Sequence, residues 1–382
     1  MTEQLEVVDN AERHRYEILV DGRPAGHLGH RTTREGVVEF PHTVVEDAYA
    51  GRGLASLLVR HALDAARAAG LRVVPTCPYV RGWIAKHPDY APLVTPVVEV
   101  VEGAAAQVGN FGVRRVLPRR GRRMVGAWCF ADHMGPADVD AERSPGVGPH
   151  PHCGLATVTW LLDGELLHRD SLGTEQSIRP GQLNLMTAGH GVQHAEEGTG
   201  YAGVFEGIQL WVAQPDATRG CPAAFEHHAE LPRLDLGAGT GTVLLGEFAG
   251  AESPARCDTA LVGVDLRLHG TADLPLRPDF EYALIGLRGG VELDGVHLAP
   301  GQLAYLGAGA DELRVTVPQR GRAMLLGGVP FEKPVTMFWN FVGRDRVELA
   351  EAGRAWNAGS ERFGRLDSPL PRYAAPEAPW RD

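Results

Sequence analysis

The sequence contains no long apolar run, no cysteine framework and no excess of positive charge. None of its apolar stretches approaches the roughly 20 residues of a membrane span, and the first residues, Met-Thr-Glu-Gln-Leu-Glu, lack the basic and then apolar pattern of a secretory signal. The five cysteines are odd in number and scattered, which predicts reduced thiols in a cytoplasm. A formal net charge of -11 argues against general affinity for nucleic acid or an anionic membrane.

What is present is the composition of an ordinary soluble globular protein. The 382 residues include 44% hydrophobic and 22% charged side chains, enough for two or three domains with sizeable cores. The 48 glycines and 27 prolines indicate many short strands joined by tight turns.

The first ninety-odd residues predict a unit of mixed helix and strand. A pattern with apolar residues on one face predicts a helix over 54–69 that Gly70 ends, and a second helix is predicted over 79–87. The pair Gly51-Arg-Gly53 places a glycine turn directly before the first helix. Strands are predicted over 16–20, 26–30, 36–46 and 71–75.

After this unit the pattern changes to short strands. A composition break predicts a linker over 96–111, and helix returns only at about 344–356. Arg179-Pro-Gly-Gln-Leu and Ala299-Pro-Gly-Gln-Leu recur about 120 residues apart. Such an internal repeat predicts two similar β-barrels in tandem.

A dense basic stretch, 113–123, opens this strand-rich part. Six arginines within it raise the possibility of a nucleic acid or an acidic protein partner. The alternation with apolar residues and the negative net charge favour a solvated strand followed by a turn.

Two short clusters of histidine and carboxylate carry the strongest chemical signal. His150 and His152 are two residues apart, and His194 and Glu196 repeat that spacing. On strands both members of a pair point to the same face, so neighbouring strands could place four nitrogen and oxygen ligands around one ion. A site without thiolate suits Fe(II), Mn, Ni, Cu(II) or Zn. His190 lies in the same loop, where a plain loop histidine is the favoured interpretation.

The second half of the repeat lacks these residues. It has Leu276-Arg-Pro-Asp279 at the place of the first histidine pair and Gly307-Ala-Gly-Ala-Asp311 after its Pro-Gly turn. Only the first barrel is therefore predicted to hold metal, and the second is predicted to be structural.

These residues stand in segments that resemble the pirin family, metal-binding two-barrel proteins of the cupin superfamily. The resemblance covers roughly 110 to 370 and is carried by 124–136, 149–157, 186–196, 209–212, 334–344 and 359–364. It implies a bicupin fold in which His150, His152, His194 and Glu196 are iron ligands. Ala156 departs from the acidic residue common in the family, and Cys153, beside a ligand, is interpreted as a neutral packed thiol.

The resemblance to pirins also implies two alternative functions. One is a quercetin 2,3-dioxygenase type of oxidoreductase, in which Glu196 accepts the proton of a flavonol hydroxyl. The other is a non-enzymatic, iron-dependent redox sensor or transcriptional co-regulator with a protein partner.

The N-terminal segment resembles small members of the GNAT N-acetyltransferase superfamily. The resemblance is carried by His42-Thr-Val-Val, Gly51-Arg-Gly-Leu-Ala55 and Cys77-Pro-Tyr-Val-Arg-Gly-Trp. It implies that Gly51, Arg52, Gly53, Leu54 and Ala55 bind the pyrophosphate of acetyl-CoA at the start of a helix. Ala50 departs from the family, which usually has Arg or Gln there.

Other residues of this segment are open to more than one interpretation. Cys77 and Tyr79 are candidates for acyl transfer or for packing, and His42 is interpreted as a strand residue rather than a base.

The sequence thus predicts a multidomain chain. An α+β GNAT-like domain over 1–95 and a linker over 96–111 precede a metal-binding cupin barrel over 112–232 and a second barrel over 233–375 without metal ligands, with a short C-terminal helix. The expected cofactors are a divalent metal, Fe(II) foremost, and acetyl-CoA. The expected substrate is a flavonol-like small molecule.

Overall fold

The computed structural model describes residues 3–34, 36–95, 98–140, 146–293 and 295–380. The described residues form two compact units. One comprises those of 1–99 together with the short segments 276–279 and 306–312, and the other comprises the remainder. Within the described part of the chain, no helix has both the length and the apolar character needed to cross a membrane.

The first unit packs a helix against two small sheets. Strands β1, β2, β3 and β6 form an antiparallel sheet, and β4, β5 and β7 form another. Helix α1 buries Leu54, Leu58 and Ala62 on one face, as the sequence pattern predicts. The elements are β1 Leu5–Asn10, β2 Arg15–Val20, β3 Arg23–Gly29, β4 Arg31–Arg34, β5 Val37–Glu39, β6 Thr43–Val45, α1 Leu54–Ala68, β7 Arg72–Val74 and α2 Pro78–Ile84, with 3-10 turns at Ala11–Arg13, Asp47–Tyr49 and Pro88–Leu93.

Two predictions for this unit need correction. The stretch 36–46 is two strands rather than one: β5 pairs with β7 in parallel, whereas β6 pairs with β3. Pro41 lies between them, and proline has no backbone N–H to continue a ladder. The second helix is also shorter than 79–87, since α2 ends at Ile84.

The predicted linker is not a linker in the structure. Strands β8 Glu99–Glu102 and β9 Ala104–Val108 lie within 96–111. Strand β9 pairs with β10 in the first barrel, and β8 lies at the edge of the large sheet of the second barrel. Exposed and half-buried residues alternate along Ala104–Val108, but the three consecutive alanines show no such period in the sequence.

The first barrel closes a seven-stranded sheet over a four-stranded one. The large sheet has the order β19-β16-β13-β18-β11-β10-β9, and the small sheet has the order β12-β17-β14-β15. The strands are β10 Phe111–Leu117, β11 Trp128–Val139, β12 Val147–His152, β13 Leu155–Asp163, β14 Leu166–Asp170, β15 Glu175–Ile178, β16 Leu183–Thr187, β17 Val192–Glu197, β18 Gly203–Ala213 and β19 Ala224–His228.

The second barrel repeats this topology, which confirms the predicted tandem barrels. Its small sheet has the order β24-β29-β26-β27, and β28, β25, β30 and β23 of its large sheet follow in the same order as β16, β13, β18 and β11. The strands are β20 Arg233–Asp235, β21 Gly239–Phe248, β22 Ala251–Glu252, β23 Leu261–Leu268, β24 Thr271–Pro275, β25 Glu281–Arg288, β26 Val291–Leu293, β27 Val296–Leu298, β28 Gln302–Gly307, β29 Glu312–Thr316 and β30 Gly321–Gly328.

The chain then returns to the first barrel. A hairpin of β31 Thr336–Phe338 and β32 Phe341–Gly343 precedes helix α3 Arg346–Asn357 and a 3-10 turn at Glu361–Phe363. Asp345 caps α3 by accepting a hydrogen bond from the amide of Glu348 at 2.9 Å. Helix α3 confirms the expected C-terminal helix.

One apolar core joins the two barrels. Buried side chains from both barrels form a single cluster that includes Trp128, Trp160, Leu210, Leu261 and Ile285. Because this core is continuous, the first barrel packs rigidly against the second.

Candidate metal centre

The two predicted histidine pairs lie side by side on adjacent strands of the first barrel. Strand β12 carries His150 and His152, and strand β17 carries His194 and Glu196. The two strands are antiparallel neighbours, with His150 opposite His194. Since alternate residues share a face, the imidazoles of both strands point into the barrel, as the spacing predicts.

The three imidazoles turn the same nitrogen toward one point. The Nδ1 atom of His150 donates to the carbonyl of Gly148 at 2.9 Å, and Nδ1 of His152 donates to the carbonyl of Asn340 at 3.0 Å. Because a carbonyl only accepts, each of these rings keeps the lone pair of Nε2 free. The Nε2 atoms of His152 and His194 lie 3.1 Å apart.

This arrangement fits a metal ion. One ligand nitrogen from each of the three histidines lies within 4.8 Å of the others. The Nε2 atoms of His152 and His194, 3.1 Å apart, are close enough to share one proton or to bind one cation in its place. The three side chains therefore form a site able to hold a divalent metal, with neutral imidazole donors of the kind that iron, nickel, copper and zinc accept.

Burial keeps these histidines uncharged. It lowers the pKa of His150 to about 4, and it lowers the pKa values of His152 and His194 well below the ordinary histidine value. A neutral imidazole is the form that binds metal, so the barrel interior prepares the ligands for binding at neutral pH.

Glu196 lines the same cavity. Its carboxylate is not part of the group of ligand atoms that lie within 4.8 Å of one another, which consists of the three histidines. Burial raises the pKa of its carboxyl to about 7, and the nearest donor, the hydroxyl of Thr159, is 3.4 Å away. That hydroxyl lies closer to Gln209, at 3.0 Å. Within the described residues, no lysine, arginine or histidine forms an ion pair with Glu196, so its charge has to be balanced by a proton or a metal.

The site opens into a cavity of about 470 Å³ with one aromatic wall. The ring of Trp211 stacks on Phe130 with centroids 3.9 Å apart and meets His152 edge-on at 5.0 Å. The guanidinium of Arg115 lies 4.6 Å from the centroid of the Phe130 ring and donates two hydrogen bonds to Asp132, at 2.8 and 2.7 Å. The cavity therefore combines flat apolar surface with a fixed charge pair, which suits a planar and partly polar molecule.

Arg115 also modifies the interpretation of the basic stretch. The strand β10 and the turn after it confirm the expected strand and turn, and Arg114 is exposed. Arg115 differs because it lines the metal cavity. The residues next to Arg115 in the sequence do not indicate that it lines the cavity, because its hydrogen-bond partner, Asp132, lies on another strand.

A further histidine lies behind the cluster, and sequence reasoning missed it. The Nδ1 atoms of His168 and His194 are 3.4 Å apart, and Nε2 of His168 lies 3.1 Å from the carboxylate of Asp170. Burial raises the pKa of Asp170, but hydrogen bonds from His168 and from backbone amides outweigh it and lower the pKa overall. The signal was present, because His168 and Asp170 repeat the two-residue spacing of the other pairs.

Several other candidate residues lie away from the site. His190 is an exposed loop residue, as favoured by the sequence. Ala156 belongs to the core between the barrels and does not line the metal cavity. Cys153 is buried, and burial raises the pKa of its thiol to about 11, which supports the interpretation of a neutral packed group.

The second barrel offers no comparable cluster. In the part of the chain that the structure describes, the three histidines are the one group of histidine, cysteine and carboxylate side chains close enough to share an ion. Strands β24 and β29, which correspond to β12 and β17, carry no histidine.

The glycine turn of the N-terminal unit has the predicted geometry. Gly51 and Gly53 have φ values of +76° and +75°, and α1 begins at Leu54 with no side-chain cap. The free amides of this first turn, including that of Ala55, are an anion-binding feature. Arg52 lies beside them and forms an ion pair with Glu3.

The remaining N-terminal candidates do not form a cluster at this turn. Cys77 is buried with its Sγ atom 3.6 Å from the Thr43 hydroxyl, and Tyr79 is 46% exposed. His42 is exposed and lies just before β6 rather than within a strand.

Comparison with known proteins identifies the family. The Pirin profile matches residues 110–212, and the profile of the pirin C-terminal cupin domain matches residues 261–364. A Pseudomonas aeruginosa protein, provisionally named a quercetin 2,3-dioxygenase, is 48% identical over 289 residues, which cover 75% of this chain and 92% of that protein. The chain belongs to the pirin family.

Other relatives agree with this pirin assignment. A pirin-like protein of Caulobacter vibrioides is 39% identical over 71% of this pirin and 98% of its own length. The crystal structure of a quercetin 2,3-dioxygenase from Acinetobacter baumannii superposes with a TM-score of 0.73 at 40% identity, covering 75% of this pirin and 97% of that chain. Residues 15–93 match the GCN5-related N-acetyl-transferase profile, so this pirin also carries a GNAT-like segment.

Proposed function

We propose that this pirin is a metal-dependent oxidoreductase of the quercetin 2,3-dioxygenase type, fused to an acetyl-CoA-binding module. The observation that carries the first part is the convergence of three buried, neutral imidazoles, whose Nε2 atoms face one point at the end of an aromatic-walled cavity. We propose that the GNAT-like domain ends at about residue 95 and that the two barrels meet at about residue 232. The segment 96–111, predicted as a linker, contributes its strands at 99–108 to the barrels.

His150, His152, His194 and Glu196 are the proposed ligands, with Fe(II) the first candidate and Mn, Ni, Cu or Zn as alternatives. The three imidazoles supply neutral donors, and the carboxylate of Glu196 supplies negative charge in the same cavity. The chemistry that a divalent metal supplies in such a site is Lewis-acid polarisation of a substrate hydroxyl and electron exchange with dioxygen.

Glu196 is the proposed proton acceptor. Its carboxylate is buried in the cavity and has no cationic partner among the described residues, so its lone pairs are available to a substrate hydroxyl. The Thr159 hydroxyl lies 3.0 Å from the Gln209 oxygen and 3.4 Å from Glu196, so the carboxylate accepts at most one long hydrogen bond from it. The carboxylate is therefore free to receive and hold the substrate proton.

The walls of the cavity bind and orient the substrate. The stacked pair of Trp211 and Phe130 offers a flat apolar surface beside His152, and the paired Arg115 and Asp132 present fixed polar groups. A volume of about 470 Å³ is within the range of small-molecule pockets and is large enough for a flavonol-sized ring system.

Oxygen uptake with quercetin tests the enzymatic proposal. The protein loaded with Fe(II), Mn or Ni should consume oxygen, whereas the His194→Ala protein treated in the same way should not. Equal rates for the two proteins would reject the proposed chemistry. Metal analysis of both proteins separates loss of metal from loss of activity.

The acetyl-CoA proposal rests on the profile match over 15–93 together with the uncapped start of α1 at Gly51, Arg52, Gly53, Leu54 and Ala55. Free amides and the helix dipole favour a pyrophosphate at this point. Isothermal titration with acetyl-CoA tests it. Absence of binding at millimolar ligand would remove this half of the proposal and leave the metal site unaffected.

A further inference from the structure

The three metal-facing histidines are not held in the same way. Backbone carbonyls accept from Nδ1 of His150 and His152, and a backbone carbonyl cannot change its role. His194 instead faces the side chain of His168, with the two Nδ1 atoms 3.4 Å apart. An imidazole nitrogen can donate or accept, so the proton position on His194 depends on what holds His168.

Asp170 determines the proton position on His168. Its Oδ1 atom accepts the backbone amides of Leu172 and Thr174, at 2.9 and 3.0 Å. Its Oδ2 atom lies 3.1 Å from Nε2 of His168, and an ionised carboxylate only accepts. A single proton on the His168 ring therefore lies on Nε2, which leaves the lone pair on Nδ1.

The same logic extends to His194. An acceptor at Nδ1 of His168 favours the His194 tautomer with its proton on Nδ1, and in that tautomer the lone pair of Nε2 faces His152. The ring of Phe225 stacks on the imidazole of His168, with centroids 4.5 Å apart and an interplanar angle of 25°. This contact restricts rotation of the imidazole. The side chains of His168, Asp170 and His194 are all almost fully buried, so water does not compete for these bonds.

We propose that His168 and Asp170 are positioning residues that set the tautomer and the ring orientation of His194. They form a relay in which Asp170 orients His168 and His168 orients His194, so that Nε2 of His194 is available as a ligand. Partners of this kind behind a metal ligand typically change metal affinity about 10–100-fold when they are lost. The inference rests on the proposed metal site, because it concerns the ligand role of His194.

Asp170→Asn reverses the relay without removing a side chain. The two backbone amides need an acceptor, so the amide oxygen takes the place of Oδ1 and the NH₂ group faces His168. Nε2 of His168 then accepts, its proton moves to Nδ1, and Nδ1 of His194 must accept in turn. The remaining proton of His194 lies on Nε2, where it blocks metal binding.

Two substitutions of His168 distinguish its hydrogen bonding from its packing: His168→Gln keeps the hydrogen-bonding groups, and His168→Phe keeps only the ring. Because Asp170 only accepts, the glutamine NH₂ group faces Asp170 and its oxygen faces His194, which reproduces the native pattern. Phenylalanine fills the space beside Phe225 but accepts nothing. The exposed His190 provides the matched control, since His190→Gln makes the same chemical change outside the site.

The experiment measures Zn(II) affinity by competition with a chromophoric chelator, and imidazole tautomers by long-range 1H–15N spectra of the metal-free proteins. We expect Asp170→Asn and His168→Phe to bind Zn(II) 10–100-fold more weakly. His168→Gln and His190→Gln should stay within about threefold of the wild type. The His194 signals should change from the Nδ1–H to the Nε2–H tautomer in Asp170→Asn.

The outcomes distinguish the relay from the metal site itself. If the wild type binds Zn(II) no better than His194→Ala, the proposed metal site fails and the relay with it. If the wild type binds and Asp170→Asn binds equally with an unchanged tautomer, the relay alone is overturned. Equal losses in His168→Gln and His168→Phe would also overturn it, because packing would then explain both.

Discussion

His152 and His194 are 42 residues apart in the chain, yet their Nε2 atoms lie 3.1 Å apart inside the first barrel. Strands β12 and β17 make this approach possible because they are hydrogen-bonded neighbours. Two imidazole nitrogens at this distance can bind one cation together, and such a ligand pair exists only in the folded chain.

Metal should therefore stabilise the folded protein. We expect the wild type to gain about 2.7 kcal/mol of unfolding free energy at a free metal concentration 100 times Kd. Thermal unfolding with and without a chelator measures this gain. His152→Ala should show no metal-dependent shift, whereas His190→Ala on the exposed loop should respond like the wild type. A full metal-dependent shift in His152→Ala would contradict the proposed ligand set.

Glu206 should make stability depend on pH. Burial raises the pKa of Glu206, but hydrogen bonds from His133 and Arg288 outweigh it and hold the pKa below its usual value. A carboxyl of this kind adds stability above its unfolded pKa, and that stability is lost as pH falls through its folded pKa. We expect Glu206→Gln to lower the unfolding free energy by about 1–3 kcal/mol at neutral pH.

The difference between the wild type and Glu206→Gln should shrink as pH falls through the lowered folded pKa of Glu206. Denaturant unfolding at several pH values measures it. Glu165→Gln makes the same change in a half-buried glutamate whose partner, Arg179, is 63% exposed, and it should alter the unfolding free energy by less than about 1 kcal/mol. A difference for Glu206→Gln that does not vary with pH would show that Glu206 acts by packing alone.

Two buried tryptophans allow a test of the contact between the barrels. The Nε1 atom of Trp128 lies 3.2 Å from the carbonyls of Val262 and Gly327 in the second barrel, whereas Nε1 of Trp160 has no hydrogen-bond partner among the described residues. We expect Trp128→Phe to cost about 1–3 kcal/mol more than Trp160→Phe, since it leaves buried carbonyls without a donor. Denaturant unfolding of both proteins gives the comparison, and equal costs would argue against a role for this donor.

Arg52 forms an ion pair with Glu3 at the glycine turn. Substitutions of the two residues should affect the affinity for acetyl-CoA differently. Arg52→Ala removes a cation beside the proposed pyrophosphate site and should weaken binding about 3–10-fold. Glu3→Gln frees that cation and should leave binding equal or stronger. Isothermal titration measures both, and weaker binding in Glu3→Gln would place the ligand elsewhere.

Local sequence patterns were sufficient for the elements whose period is regular. The helix at 54–69 and the two histidine pairs follow from spacing alone, because side-chain direction repeats every 3.6 residues in a helix and every two in a strand. The tandem barrels follow from the repeated Pro-Gly-Gln-Leu turns, which stand before equivalent strands, β16 and β28.

The errors lie where distant segments decide the outcome. Strand β8 looked like a linker because its neighbour in the sheet, β28, lies far along the chain. Strand β9 pairs with the next strand, β10, but its three alanines gave no strand signal. The stretch 36–46 looked like one strand because its two halves pair with different neighbours, β7 and β3.

The amino-acid order by itself determined which side chains share a face and therefore which residues are available as ligands. Only the tertiary structure decided how each ligand is oriented, since Nδ1 of His152 is held by the carbonyl of Asn340, 188 residues away, and that of His194 by His168 on a neighbouring strand. The physical reason is that periodicity is a property of the local backbone, whereas a hydrogen-bond partner is supplied by whichever segment the fold brings within about 3 Å.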